Sequence, residues 1–328
     1  MVGMTRLIGS KGGCVAPWLA MGLVIAVSAW INSLVALGSL SFDMTGLFPA
    51  NVAAAVGADL QSVTKHLLAR VAWGLTSIGF SLVAVATIAT SWYVLGTSLQ
   101  ELSRRERVVG GALILCCAVP VIAITLLGAD VLSEPAVTRG LRIATLHRTP
   151  ETRAVSVDSL FDTVSYGIFL FLASAVSTTL LWPATVADPA ALLRRRIARV
   201  QALLYVGATA LTLRALEMFF LYRWPGAWLT GSATEYVDRI ALAVGMAYGS
   251  FFTGILASIY LPTAFILRSR ANRLADESVV GPDEDHDAWL AKSGLRLSPF
   301  QEFGRLLAVL APLIASGPAA KLVGLFTG

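Results

Sequence analysis

The charges of this chain are not scattered. They are grouped so that six long stretches carry few or none of them. Lys11 and Asp43 enclose 31 uncharged residues, Arg70 and Glu101 enclose 30, and Arg107 and Asp130 enclose 22. Asp162 and Asp188 enclose 25, and Arg239 and Arg268 enclose 28. One further stretch, from about Val200 to Tyr222, is apolar apart from Arg214 and Glu217. A helix crosses a hydrocarbon core of about 30 Å with about 20 apolar residues. Strands of a membrane barrel need only about 10 and alternate in polarity. Backbone groups in lipid must pair within their own segment, so uniformly apolar runs of this length imply helices.

The expected fold is therefore all-α, a polytopic integral membrane protein. Six transmembrane helices are predicted at about 16–40, 71–99, 108–129, 163–183, 200–222 and 240–267, within one domain spanning 1–267. Composition agrees, with 14% charged residues where soluble domains carry about 25%. The first run is longer than the h-region of a signal peptide, about 7–15 residues, and is expected to be a retained anchor.

Arginine placement sets the expected orientation. The segments before span 1, between spans 2 and 3, between 4 and 5, and after 6 hold 12 lysines and arginines, against 8 in the longer alternate gaps. The positive-inside rule then puts both termini in the cytoplasm. Arg194, Arg195, Arg196 and Arg199 read as topology anchors facing anionic lipid headgroups. The excess of 21 arginines over 4 lysines points to a GC-rich bacterial genome, hence a bacterial cytoplasmic (inner) membrane. The +5 net charge sits in short gaps between spans, so nucleic acid is not an expected partner.

Between the spans, an external segment at about 51–70 repeats apolar residues every three or four positions and predicts an amphipathic helix running into span 2. Residues 131–162 form the longest external loop, and Ser159 to Asp162 has capping-box spacing that would start span 4. Pro120 lies in the middle of span 3, where proline kinks a helix. Residues 268–298 read as a basic, then acidic, cytoplasmic linker. Residues 299–328 contain a short apolar helix, broken by Pro312 and Pro318, expected to be interfacial or docked on the bundle.

The sharpest anomaly is Arg214 with Glu217. Three residues apart, they share one helix face, about 13 Å from the span's end at Arg223. A charge at such depth costs about 2.5–3.5 kcal/mol on insertion scales. The two are expected either to line an ion or solute path or to form an internal ion pair, with Asn32 of span 1 as a further polar neighbour. Gly245 and Gly249 form a small-xxx-small match in span 6, expected to bring helices close and compatible with a homo-oligomer.

Other signatures fail on inspection. Asp283, Asp285 and Asp287 sit at calcium-loop spacing, but Ala288 and Gly294 occupy the positions that need glycine and glutamate. The glycines around Lys11 lack phosphate-loop order. The three histidines lie outside the spans, and no predicted external loop holds a cysteine. No cofactor, metal or catalytic residue is expected. The functional expectation is a channel or small transporter. The alternative is a non-transporting scaffold or signalling effector that meets a cytoplasmic partner through its C-terminal tail. A membrane enzyme without a recognisable motif ranks third.

Overall fold

A computed structural model describes residues 16–18, 20–21, 60–127, 153–183, 186–224, 226, 232–278, 286–295 and 299–316. The described residues are helical, without strands. The elements are α1 (Leu60–Gln100), α2 (Arg104–Leu127), α3 (Arg153–Leu180), α4 (Pro189–Arg223), α5 (Ser232–Ser278), α6 (His286–Lys292) and α7 (Pro299–Ser316). Among the described residues four helices are long and apolar enough to cross a membrane: Val71–Gln100, Phe161–Leu180, Pro189–Arg223 and Val237–Ser278. The protein is an all-helical, membrane-embedded chain.

The predicted six spans are not reached within the described residues. Span 1 lies outside them except for helical turns at 16–18 and 20–21, where Trp18 and Met21 are buried. Asn32 also lies outside them. Span 3 corresponds to α2, 24 residues long, which is not one of the four. Several boundaries move as well. Helix α3 starts at Arg153, inside the predicted loop and ahead of the Ser159 box, and Asp162 is used in an ion pair rather than a cap. Helix α5 continues to Ser278, so the basic part of the predicted linker is helical. The reciprocal capping box is at Ser103 and Glu106. Ser103 N–H donates to Glu106 Oε2 at 2.9 Å, and Glu106 N–H to Ser103 Oγ at 3.3 Å. That pair starts α2 directly after the short turn from α1.

Helix α1 has the opposite amphipathicity to that of a soluble protein. Its outward face carries Leu68, Val71, Leu75, Ile78, Leu82 and Val85, all more than half exposed. Its inward face carries Ser77, Phe80, Ala84, Thr87, Ser91, Val94 and Ser98, all buried. Large apolar groups outward and small or hydroxyl groups inward is the arrangement for packing helices in hydrocarbon. Thr87 lies 2.7 Å from the Val83 carbonyl of its own turn and 3.2 Å from the Val206 carbonyl of α4, so its single proton is shared across the seam. On α4's other side, a Cβ at Gly207 would stand 2.7 Å from Leu172 Cδ1, so glycine is what lets α3 pack so near.

Helix α4 is the axis of the bundle, packed against α1, α3, α5 and α7. Asp188 caps it, accepting from Ala191 N–H at 2.9 Å, with Pro189 in the first turn. Helices α1, α3 and α5 run antiparallel to it. Trp73, Asp162 and Asp238, near their starts, meet Glu217, Arg214 and Arg223 near its end. Ser98 and the Thr179 carbonyl, near the ends of α1 and α3, meet Arg199 and Arg196 near its start. Gly245 of α5 lies against Phe219, where a Cβ would be 3.3 Å from the ring's own Cβ. Gly249 is buried one turn further on.

The C-terminal segment folds back onto this axis. Helix α6 ends in a Schellman motif: Gly294 adopts φ +66°, its N–H donates to Ala291 O at 3.0 Å, and Leu295 N–H donates to Leu290 O at 2.8 Å. Leu290 and Leu295 are both buried, which supplies the hydrophobic contact of the motif. A Cβ at Gly294 would be in the left-handed region and 3.2 Å from Arg194 Cδ. Gly294→Ala is expected to cost about 1–2 kcal/mol. Hydrogen exchange in α6 should accelerate about 5- to 30-fold, while α4 stays unchanged. Helix α7 docks along α4 and α5, burying Val309 and Pro312 and turning Leu306, Leu307, Leu310 and Ile314 outward.

Candidate functional site

Two polar clusters sit at opposite ends of α4. At the end near Arg223, Arg214 is at the centre. Its buried stripe, Gly207, Ala210, Leu211, Arg214, Glu217, Met218 and Leu221, follows helical spacing, so both charges point into the bundle. Arg214 and Glu217 are each 0% exposed. The Arg214 guanidinium pairs with the Glu217 carboxylate on its own helix and with Asp162 Oδ1 of α3 at 2.5 Å. Glu217 also accepts from Trp73 Nε1 of α1 at 2.6 Å. Three helices are thus joined through one guanidinium and two carboxylates.

Aromatic rings close the cluster. Phe80 and Phe161 meet edge to face at 5.5 Å, and both lie under the guanidinium, at 5.8 and 5.7 Å. Trp73 stacks on Trp224 at 5.5 Å. Of the cluster's three charged groups, Asp162, with 39% of its side chain exposed, is the one that reaches the surface. Arg223 pairs with Asp238 at 2.9 Å and ties α5 to the same end.

At the other end, the four predicted anchors divide. Arg194 and Arg195 are exposed. Arg196 is fully buried and donates from Nη1 to the carbonyls of Thr179, at 2.6 Å, and Leu181. Those are carbonyls at the C-terminus of α3, where the helix leaves acceptors without partners and favours positive charge. Arg199 pairs with Glu101 at 2.9 Å, and Arg196 reaches the same carboxylate at 3.7 Å. Two guanidinium groups lie over the Trp182 ring, Arg196 at 5.1 Å and Arg270 of α5 at 5.3 Å.

Between the clusters α4 packs mainly through apolar side chains. From Gln201 to Arg214 it rises about 20 Å, and Leu203, Leu204, Ala208, Ala210 and Leu211 are buried there against apolar neighbours, with the Thr87 hydroxyl on the Val206 carbonyl as a polar contact. A void of about 20 Å³, lined by apolar side chains and Tyr260, lies near the lower end.

Beside the Arg196 end lies a cavity of about 510 Å³ between α4, α5, α6 and α7. Its polar lining comes from Gln201, Tyr260, Arg268, Asn272, His286, Asp287 and Arg305. His286 Nδ1 lies 3.1 Å from Asp276 Oδ1, which holds α6 to α5. Arg305 of α7 is buried, 4% exposed, with Gln201 as its neighbour. Among the described residues no three His, Cys, Asp or Glu side chains come together as a metal site would require.

The structure brings together two of the sequence candidates, Arg214 and Glu217, and adds Asp162, Trp73, Phe80 and Phe161 around them. Gly245 lies 26 residues along α5 from Ala271, near the Arg214 end, and serves the α4–α5 contact. The burial of Arg196 was visible in periodicity: Leu193, Arg196, Val200, Leu203 and Gly207 form one buried stripe. Arg305 shares a helical face with Val309 and Pro312 in the same way. No family model, curated protein or solved structure matches this chain.

Proposed function

We propose that this chain is a non-transporting membrane effector that works through its C-terminal segment. In this reading it crosses a bacterial inner membrane six times with both termini in the cytoplasm. The single observation that carries the reading is the mainly apolar packing of α4 among the described residues, about 20 Å that separates the Arg214 cluster from the polar cavity. A conduit needs a continuous polar lining or a gate that opens onto one. Here the intramembrane charges are consumed in mutual pairing. The polar cavity is instead enclosed by α6 and α7, the part of the chain that follows the last span.

Docked but short, α6 and α7 are suited to exchange between bound and released states. Helices with few buried residues open at the low end of the stability scale. The test has two measurements. Proteoliposomes holding the full chain should pass potassium, chloride and protons no faster than empty liposomes. Hydrogen exchange should be faster in α6 and α7 than in α4. Flux above that background would overturn the reading.

One observation favours the conduit as a second reading. Asp162 supplies an ionisable group from a different helix and connects buried Arg214 to the surface, as the first station of a proton or ion path would. The same flux measurement, repeated with Asp162→Asn, decides it.

A further inference from the structure

The cavity beneath the C-terminal helix contains a charge that the packing does not explain. Arg305 stands on the buried face of α7 with Val309 and Pro312, where an apolar residue would complete the docking. Its neighbour is an amide. With the Gln201 carboxamide oxygen turned toward it, Arg305 donates to that oxygen from Nη2 and from Nε, the latter at 3.1 Å. A carboxamide carries no charge, and among the described residues no carboxylate forms a salt bridge with Arg305. A buried cation without a counter-charge is costly. A bound anion removes that cost.

The cavity's shape and lining narrow the anion. About 510 Å³ is within the range of small-molecule sites, about 300–1,000 Å³, and far larger than a lone phosphate requires. Arg268 and Asn272 line it as further donors, and Leu267 and Leu290 contribute apolar wall. Its one carboxylate, Asp287, is exposed to solvent. The cavity adjoins the end of α4 that carries Arg194, Arg195 and Arg199, the end the charge pattern assigns to the anionic inner leaflet.

We propose that this cavity binds a net-anionic phosphate amphiphile, with the Arg305 guanidinium on the phosphate oxygens and the apolar wall against the start of the tail. The planar guanidinium fork matches phosphate oxygens pairwise. Binding stands on the cavity alone; the consequence, that occupancy holds α7 docked, rests on the effector reading.

The experiment uses the full chain purified in detergent and native mass spectrometry with dioleoyl phosphatidylglycerol or dioleoyl phosphatidylcholine. The glycerol lipid should be retained at least about tenfold more tightly, and Arg305→Gln should weaken it by about tenfold to a hundredfold. Ala264→Phe fills the cavity without changing any charge and should weaken it as well; if Arg305→Gln fails to fold, this variant decides alone. Displacement by millimolar inorganic phosphate assigns the site to free phosphate and overturns the amphiphile; resistance supports a lipid headgroup. Equal retention of the two lipids, or folded variants that bind like the parent chain, overturns it. Lipid that binds as expected but leaves hydrogen exchange in α7 unchanged overturns the effector reading and leaves the site standing.

Discussion

Arg214→Ala should destabilise the protein by about 3–5 kcal/mol, the largest loss expected from any single substitution here. The variant leaves Glu217, which has no exposed surface and accepts from the Trp73 indole, without its guanidinium counter-charge. A carboxylate in that state must take up a proton or break the helix contact. Glu217→Ala should cost less, because Arg214 keeps Asp162, whose carboxylate is in touch with the surface. The double replacement Arg214→Met with Glu217→Leu should recover most of the loss, since apolar side chains of similar size commonly replace buried ion pairs at little cost. Unfolding in mixed micelles across this double-mutant cycle reads the coupling directly. Single variants within about 0.5 kcal/mol of the parent would show that the pair is not holding the bundle.

The second large effect belongs to Arg196. Arg196→Leu removes a charge-assisted donor from two carbonyls at the end of α3 and a cation from over the Trp182 ring. Hydrogen bonds to charged groups contribute about 1.5–3 kcal/mol each, so a loss of about 3 kcal/mol is expected. Arg196→Lys should restore less than half of it, because an ammonium is a point donor and cannot stack its plane on the indole. Unfolding midpoints for the two variants test this, with Arg195→Leu as the exposed comparison that should change little. A lysine variant as stable as the parent would mean that charge alone is used there.

The helices were legible because hydrocarbon leaves so little choice. Uncharged runs located α1, α3 and α5 but not their starts, which lie 11, 10 and 8 residues ahead of the predicted spans. Their ends were less legible, since helices here outrun the apolar stretch that signals them. Helix α5 continues through Arg268, Arg270 and Arg273 to Ser278, where charge marks the edge of the lipid rather than the end of the helix. The capping box was sought at Ser159, where a span was expected to begin, and occurs at Ser103, in a turn too short to attract notice.

The candidate site was half visible. Arg214 and Glu217 stand out because charge is scarce around them. Asp162 lies 52 positions away on another helix, so only the fold pairs it with Arg214. Trp73, near the start of span 2, is the donor to Glu217 across 144 positions, which spacing does not signal. Arg196 hid among three neighbouring arginines whose composition says topology. Only its phase on α4's apolar stripe separates it from Arg195.

Helix α4 is fastened near both tips, by Arg196 and Arg199 below and by Arg214 and Arg223 above. A rod riveted at two levels to three neighbours can neither slide along its length nor swivel without breaking ionic joints at one level or the other. Rearrangement of this molecule then falls to the pieces outside those joints, and α7, laid against α4 and α5, is one of them.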